Sequence, residues 1–187
     1  DATENTLMIL DEMKMRESLD LRNFIHDDVG LRAIAWGLKT NGRLTELDLG
    51  SNRICHSTLL AFAEALKHNT TLRVLGLGAN RIGNRGVEAL ADALDHNENL
   101  TKLKLGGNPI PFRSNCHNLA SESKINKRYS GNYSRSSIHG NLQRLRFKLE
   151  KNKRTARQRE EDDAKLAAAA REAEERIFAN EKHLIGL

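Results

Sequence analysis

Two Cys-His dipeptides come closest to a metal-binding set in this sequence of 187 residues. Cys55-His56 and Cys116-His117 together supply four side chains of the kinds that bind Zn²⁺. Zinc ligands within a motif are typically separated by about two to four residues, and adjacent ligands fit one tetrahedral ion poorly. The sequence therefore predicts no metal site.

The histidines and their acidic neighbours offer acid-base groups without a nucleophile. His26 precedes Asp27 and Asp28, but no nucleophilic side chain stands beside them. His68 and His96 occupy one repeat position at the ends of predicted helices, where a cation faces the negative end of the helix dipole. No G-x-x-x-x-G-K-[ST] phosphate loop is present. We predict a protein that is not an enzyme and holds no cofactor.

Charge and cysteine usage indicate where such a protein works. Residues 1–101 carry 11 Lys/Arg against 15 Asp/Glu, residues 102–159 carry 15 against 2, and residues 160–187 carry 4 against 8. A basic segment of this kind favours an acidic partner. Two cysteines do not form a disulfide framework, and no apolar run reaches the ~18 residues of a membrane span. We predict a cytoplasmic protein, with a cytoskeletal or ciliary setting as the specific hypothesis.

The pattern L-x-x-L-x-L-x-x-N-x-I occurs three times, beginning at Leu44, Leu72 and Leu100, with a step of 28 residues. Leu19 and Leu21 indicate a degenerate earlier copy. A fixed step of this length is typical of a repeat architecture. The alternating leucines predict a short buried strand in each copy, and the strands should pair in parallel.

The second half of each repeat predicts a helix, because apolar residues recur with i, i+3, i+4, i+7 spacing after each strand. Asn41, Asn69 and Asn97 follow these helices, and we expect them to end each helix in the left-handed conformation. Asn84 is predicted to cap the N-terminus of its helix. A third asparagine series, at the bends that leave the strands, should bind otherwise unpaired backbone groups; it consists of Asn52, Asn80 and Asn108.

These repeats resemble the leucine-rich-repeat family, specifically its ribonuclease-inhibitor-like class. The stretch FAEALKHNTTLRVLGLGANRIG is also similar to the repeats of tropomodulins and of innate-immunity receptors. The resemblance implies an α/β solenoid with parallel strands on the concave side and helices on the convex side. The chain lacks a tropomodulin-specific actin-binding helix, so actin capping is one alternative among several.

The predicted organisation has four parts. Residues 1–14 form an N-terminal lead-in or cap, and residues 15–113 hold about three and a half leucine-rich repeats. Residues 114–140 read as a basic, poorly ordered linker because they are rich in Ser, Asn, Lys and Arg. Residues 141–187 lack proline and predict a long charged α-helix, whose heptad pattern allows a coiled coil at its two ends.

Two candidate binding surfaces remain once the repeat has accounted for its own residues. The first consists of the outward strand positions on the concave face, where charge changes from acidic to basic: Glu46, Asp48, Arg73, Val74, Lys102 and Lys104. The second is a run of cations on the C-terminal helix that suits a polyanion: Arg144, Arg146, Lys148, Lys151, Lys153, Arg154, Arg157 and Arg159.

The first functional hypothesis is a non-catalytic protein-protein interaction scaffold, a subunit of a larger intracellular assembly that binds through the concave face and the basic helix. Three or four repeats make a small core, so the ends of the stack need a cap or a partner. The alternative hypothesis is binding of nucleic acid or another polyanion, such as acidic protein tails, through residues 124–159. Few aromatic residues lie in the helix, which disfavours base stacking.

Overall fold

The fold is described from a computed structural model, which covers residues 2–25, 27–110 and 135–185. Helices and short strands alternate along the chain. Their bounds are α1 Ala2–Met15, β1 Ser18–Asp20, α2 Asp28–Thr40, β2 Glu46–Asp48, α3 His56–His68, β3 Val74–Gly76, α4 Asn84–Leu94, β4 Lys102–Lys104 and α5 Arg135–Ile185. The predicted alternation of strand and helix is confirmed.

The four strands form one parallel sheet in the order β1-β2-β3-β4. Leu19, Leu47, Leu75 and Leu103 stand side by side in the register, so the 28-residue step of the sequence becomes a step of one strand. All four leucines are buried. The degenerate first copy is therefore a true strand of the sheet.

The helices bury the stripe that their spacing predicts. In α2 this stripe is Leu31, Ile34, Ala35 and Leu38, each at most 3% exposed. The equivalent residues of α3 and α4 join the same core, which is dominated by leucine. Helix and strand leucines together give each layer an apolar interior, and stacking the layers removes it from water.

Side-chain capping differs among these helices. Asp27 caps α2, since its Oδ1 accepts a hydrogen bond from the Gly30 N–H at 2.6 Å. The N-cap of α4 is Gly83, and Asn84 is the first helical residue, so the prediction of Asn84 as the cap is wrong. The Asn84 side chain is instead buried, and neither of its amide atoms has a hydrogen-bond partner.

The asparagines that follow the strands bind backbone groups, as predicted, and many of these groups belong to the preceding repeat. Asn80 Oδ1 accepts hydrogen bonds from the N–H groups of Asn52 and Ile54, both at 2.9 Å. Its Nδ2 donates to the carbonyl of Leu49 at 3.0 Å. Asn52 and Asn108 make the equivalent contacts in their own layers. Each of these buried amides therefore satisfies backbone groups of the preceding repeat.

The asparagines that follow the helices act differently from the prediction. The backbones of Asn41 and Asn69 are extended, with φ of −72° and −76°, so the expected left-handed conformation is wrong. Asn69 Oδ1 instead accepts from the Leu72 N–H at 2.8 Å, and its Nδ2 donates to the Leu38 carbonyl at 2.8 Å. Asn97 repeats the pattern one layer later. The side chain, rather than the backbone angle, closes each helix.

The left-handed residues lie just beyond the strands. Ser51, Ala79 and Gly107 occupy equivalent positions and have φ of +60°, +52° and +77°. Glycine adopts this conformation without steric cost, whereas serine and alanine do not. Asn23, at the same position of the first copy, has φ of +54°, so three of these four turns hold a residue other than glycine in this conformation.

Both ends of the stack are covered by a helix. At the first end, α1 packs on α2 and buries Ile9 and Met13. At the last end, Leu142, Leu145 and Leu149 of α5 enter the core. The spacing of these leucines places them on one helical face.

Asn152 completes this closure. Its Nδ2 donates to the carbonyls of Asn97 and Leu100, both at 2.9 Å. The bond to Asn97 is the one that Asn97 itself makes to Asn69 of the preceding repeat. The chain forms two compact units, Asp1–Asn152 and Lys153–Leu187. The sequence divides the chain differently, with the helical part beginning at residue 141. Residues 114–134 of the predicted linker lie outside the described residues, and residues 135–140 are helical.

Candidate protein-binding site

The concave face is the face of the sheet opposite the buried leucines, and its outward side chains form rows that cross the strands. One row is Ser18, Glu46, Val74 and Lys102, and the next is Asp20, Asp48, Gly76 and Lys104. The sheet thus brings five of the six predicted concave residues into two adjacent rows. Arg73 is exposed directly before β3.

The acidic end of the second row is internally paired. Arg22 Nη2 lies 2.6 Å from Asp20 Oδ2, and Arg22 Nε lies 2.9 Å from Asp20 Oδ1. This hydrogen-bonded pair lowers the pKa of the Asp20 carboxyl to about 2. Neither residue is among the predicted site residues. The signal that identifies Asp20 is the alignment of Ser18-Leu19-Asp20 with Glu46-Leu47-Asp48.

Asp48 and Lys104 form a bridge between strands that are not neighbours. Lys104 Nζ lies 3.4 Å from Asp48 Oδ2, and Asp48 Oδ1 accepts from the Gly50 N–H at 3.0 Å. The intervening strand contributes Gly76, where an added Cβ would lie 2.4 Å from Asp48 Oδ1. A side chain at position 76 would therefore displace the Asp48 carboxylate from the position in which it reaches Lys104. We call Asp48 and Lys104 the salt-bridge ridge.

A row of glycines lies on the far side of the ridge. Gly50, Gly78 and Gly106 follow β2, β3 and β4 at equivalent positions. A Cβ at Gly78 would lie 3.2 Å from the Gly106 carbonyl oxygen, so these backbones pack closely. The Cγ of Arg22 lies against the Gly50 position. This part of the concave face is a shallow floor of main chain without side chains.

The first row keeps its charges unpaired. Within the part of the chain that the structure describes, Glu46, Arg73 and Lys102 have no ion-pair or hydrogen-bond partner for their side chains. Val74 lies between Glu46 and Lys102 and is partly exposed. The row therefore offers an acid, an apolar side chain and a base in order across three strands. We call Glu46, Val74 and Lys102 the recognition row.

Some cations of the basic helix α5 form ion pairs with carboxylates of α4 and of the residue that follows it. Arg144 pairs with Asp92 at 2.7 Å and also with Asp95, and Lys148 Nζ lies 2.7 Å from Asp95 Oδ1. These contacts hold α5 against α4. At least two of the eight predicted polyanion-binding cations thus have carboxylate partners among the described residues.

The remaining polyanion-binding prediction rests on exposed cations. Arg146 is exposed in the first compact unit, and Arg154 and Arg157 are exposed in the second. Their solvation alone does not distinguish a binding surface from a charged, soluble helix face. Polyanion binding stays a prediction.

Among the described residues, the side chains that could bind a metal ion are not brought together into a metal site. His26, Cys116 and His117 lie outside the described residues. Where the structure describes side chains, no group of three or more His, Cys, Asp and Glu could hold a metal ion. Asp28 accepts a hydrogen bond from the Thr58 hydroxyl, which lowers the pKa of its carboxyl. The hydrogen bond from Thr58 gives this carboxylate a structural role between α2 and α3.

Cys55 is a free, partly exposed cysteine. It is the N-cap residue of α3, and its Sγ lies 3.1 Å from the Ser57 Oγ. Hydrogen bonds, first of all from Ser57, lower the pKa of its thiol to about 7. His68 and His96 bind Glu64 and the Asp92 carbonyl, in agreement with a structural role.

Comparison with known proteins identifies the class. A family model described as leucine-rich repeat matches residues 68–91 and 96–110. No curated protein sequence matches the chain. None of the described helices has the length and apolar character needed to cross a membrane. The chain therefore contains leucine-rich repeats, as its sequence pattern indicates.

Two solved structures share its fold. One is described as leiomodin-1 actin-binding site 2, with 19% sequence identity and a TM-score of 0.59; the similarity covers 87% of this chain and 96% of that one. The other is the tropomodulin C-terminal domain of Caenorhabditis elegans, with 13% identity and a TM-score of 0.57; it covers 83% of this chain and 98% of that one. The chain therefore has a tropomodulin-like leucine-rich-repeat fold with a long C-terminal helix.

Proposed function

We propose that the chain is a non-catalytic protein-interaction module of the cytoskeleton, that actin is its partner, and that the concave face is its main binding surface. The observation that carries the proposal is the fold shared with leiomodin-1 actin-binding site 2, which extends over 87% of this chain. Fold similarity at this identity supports a kind of function rather than a set of contacts. The contacts are argued from the chain's own residues.

The concave face supports the proposal because it combines unpaired charges of both signs with an apolar side chain. The apolar stripes of the helices are used for packing, and both stack ends are covered by α1 and α5. On the concave face, Glu46, Arg73 and Lys102 have no partner among the described residues. Exposed charges around an apolar residue are suited to a protein interface with a polar rim.

The C-terminal helix gives the module a second means of attachment. Residues Lys153–Leu187 form their own compact unit, and their described side chains after residue 156 are exposed. An exposed charged helix fits a subunit that joins a larger intracellular assembly. A cytoskeletal location follows from the proposed partner, and a ciliary one stays a prediction from the sequence.

Titration of the full chain into fluorescently labelled monomeric actin tests the proposal directly. We expect a saturable increase in anisotropy, and co-sedimentation with filaments shows whether the polymer is also bound. An Arg154→Glu/Arg157→Glu double variant reports the contribution of the helix. Absence of saturable binding to either form of actin would contradict the proposed partner.

The polyanion alternative is separated by a parallel titration with a short DNA duplex. Phosphate binding predicts affinity that falls steeply as salt increases and that is lost in the same double variant. Actin binding through the concave face predicts that this variant retains most of its actin affinity. Tight, salt-dependent DNA binding together with no actin binding would favour the alternative.

A further inference from the structure

The recognition row differs from its neighbouring row in the state of its charges. Asp48 and Lys104 neutralise each other across Gly76, and Asp20 is paired with Arg22. Glu46 and Lys102, two residues earlier on the same strands, have no such partner among the described residues. Two opposite charges on the same face are thus left for an external group.

The geometry of the pairing explains this difference. In the second row the central residue is Gly76, so the carboxylate of Asp48 can lean across the strand toward Lys104. In the recognition row the central residue is Val74, whose side chain stands between Glu46 and Lys102. The valine keeps the two charges apart and offers an apolar contact between them.

The spacing of the row matches one secondary structure better than another. Neighbouring strands lie about 4.8 Å apart, so the three positions step by about that distance. Along an α-helix, residues i+3 and i+4 are displaced by roughly 4.5 and 6.0 Å, which bracket this step. Residues on one side of an extended strand repeat at about 6.8 Å, which is too long.

We infer that the recognition row binds an amphipathic α-helix of the partner, which lies across the strands alongside the salt-bridge ridge. The helix carries a base opposite Glu46, an apolar residue three or four positions further opposite Val74, and an acid at about the seventh position opposite Lys102. The ridge of Asp48 and Lys104 forms one flank of this site. This inference rests on the proposed role of the concave face and names the partner element that it accepts.

The inference specifies which contacts give selectivity. Both charged contacts lie at a partly exposed surface, where each supplies modest affinity but discriminates strongly against a like charge. Val74 supplies the central apolar contact. The site should therefore select among helices by the signs of two side chains.

The test uses three helical peptides and does not require actin. Each is a fluorescein-labelled alanine-rich helix of sixteen residues with one leucine. The leucine is flanked, four positions before and three after, by lysine and glutamate, by two lysines, or by two glutamates. Anisotropy titrations with the full chain should show about 3- to 10-fold tighter binding of the mixed peptide than of either like-charged peptide.

Single charge reversals should redirect this preference. Glu46→Lys presents two bases around Val74, so we expect it to prefer the peptide with two glutamates by about 5- to 10-fold. Lys102→Glu should prefer the peptide with two lysines by a similar factor. A reversed order of lysine and glutamate is not used, because a helix can lie across the row in either direction.

Matched controls change the net charge equally at exposed positions on the helices. Glu88→Lys on α4 and Lys39→Glu on α2 should leave the order of preference unchanged. The inference is overturned if the controls shift the preference as much as the recognition-row variants, or if none of the chains distinguishes the peptides. Because actin is absent, a chain that selects peptides but does not bind actin would refute only the proposed partner.

Discussion

Replacing Asn152 by alanine tests how the last repeat is closed. The Asn152 side chain is buried, with 2% exposure, and its Nδ2 donates to the carbonyls of Asn97 and Leu100 at 2.9 Å. Alanine removes both donors without adding bulk. The two carbonyl groups then remain beneath α5 without these hydrogen bonds.

The size of the effect follows from these two groups. A buried polar group that loses its partner costs about 1–3 kcal/mol, and a carbonyl with two lone pairs belongs at the lower end. Leaving two carbonyls without these hydrogen bonds therefore costs about 2–3 kcal/mol of stability. The higher helix propensity of alanine offsets about 0.6 kcal/mol of this loss. We expect Asn152→Ala to lower the free energy of unfolding by about 2 kcal/mol. The melting temperature should fall by about 4–8 °C.

Asn141→Ala is the matched control on the same helix. Asn141 Nδ2 is buried and has no hydrogen-bond partner, so its removal leaves no group unsatisfied. Helix propensity alone then predicts a gain of about 0.5 kcal/mol. Guanidinium unfolding followed by far-ultraviolet circular dichroism measures both variants. Equal effects of the two substitutions would refute the role assigned to Asn152.

Three further predictions concern single positions elsewhere in the repeats. Ala79→Gly should raise the free energy of unfolding by about 0.5–1 kcal/mol, since φ is +52° there, and thermal denaturation measures the gain. The folded-state pKa of Asp20 is lowered to about 2, whereas its unfolded pKa is near 4. The stabilisation that follows from this difference is present above pH 4 and is lost as the pH falls toward 2. Arg22→Gln should reduce this loss, which is measured as the free energy of unfolding at a series of acidic pH values. Alkylation of Cys55 by iodoacetamide should have a pH midpoint near 7, and Ser57→Ala should move the midpoint upward.

The repeat fold could be predicted because every layer repeats the same physical solution. The step of 28 residues fixes the strand register, and the leucines at Leu19, Leu47, Leu75 and Leu103 show where each strand lies. The asparagines after the strands were also predictable, since a side-chain amide offers both a donor and an acceptor to the backbone groups there. Local pattern and tertiary packing agree in this part of the chain.

The closure of the stack could not be read from the sequence in the same way. Leu142, Leu145 and Leu149 have helical spacing, but spacing alone does not say what covers them. Asn152 lies far along the chain from Asn97, and no periodicity relates it to the repeat asparagines. The prediction for the asparagines that follow the helices was wrong for a related reason. It rests on the backbone conformation that asparagine favours, whereas their side chains bind the previous layer.

The candidate site was predictable as a face but not as a set of pairs. Alternation along β2, β3 and β4 identifies which side chains point outward. It does not reveal that Gly76 allows Asp48 to reach Lys104, because this depends on three strands at once. The same limitation explains Arg144 and Lys148, whose partners on α4 are distant in sequence. Such pairing separates charges used for folding from charges left for a partner.

The most direct test of the concave face as a binding surface compares two charge reversals in actin binding. Lys102→Glu alters the recognition row, whereas Glu64→Lys makes the opposite reversal on the outer side of α3, where its side chain is exposed. Anisotropy titrations with labelled monomeric actin should show at least about a fivefold weaker affinity for Lys102→Glu, and little change for Glu64→Lys. Equal affinities of the two variants, with folding intact, would contradict the proposed binding surface.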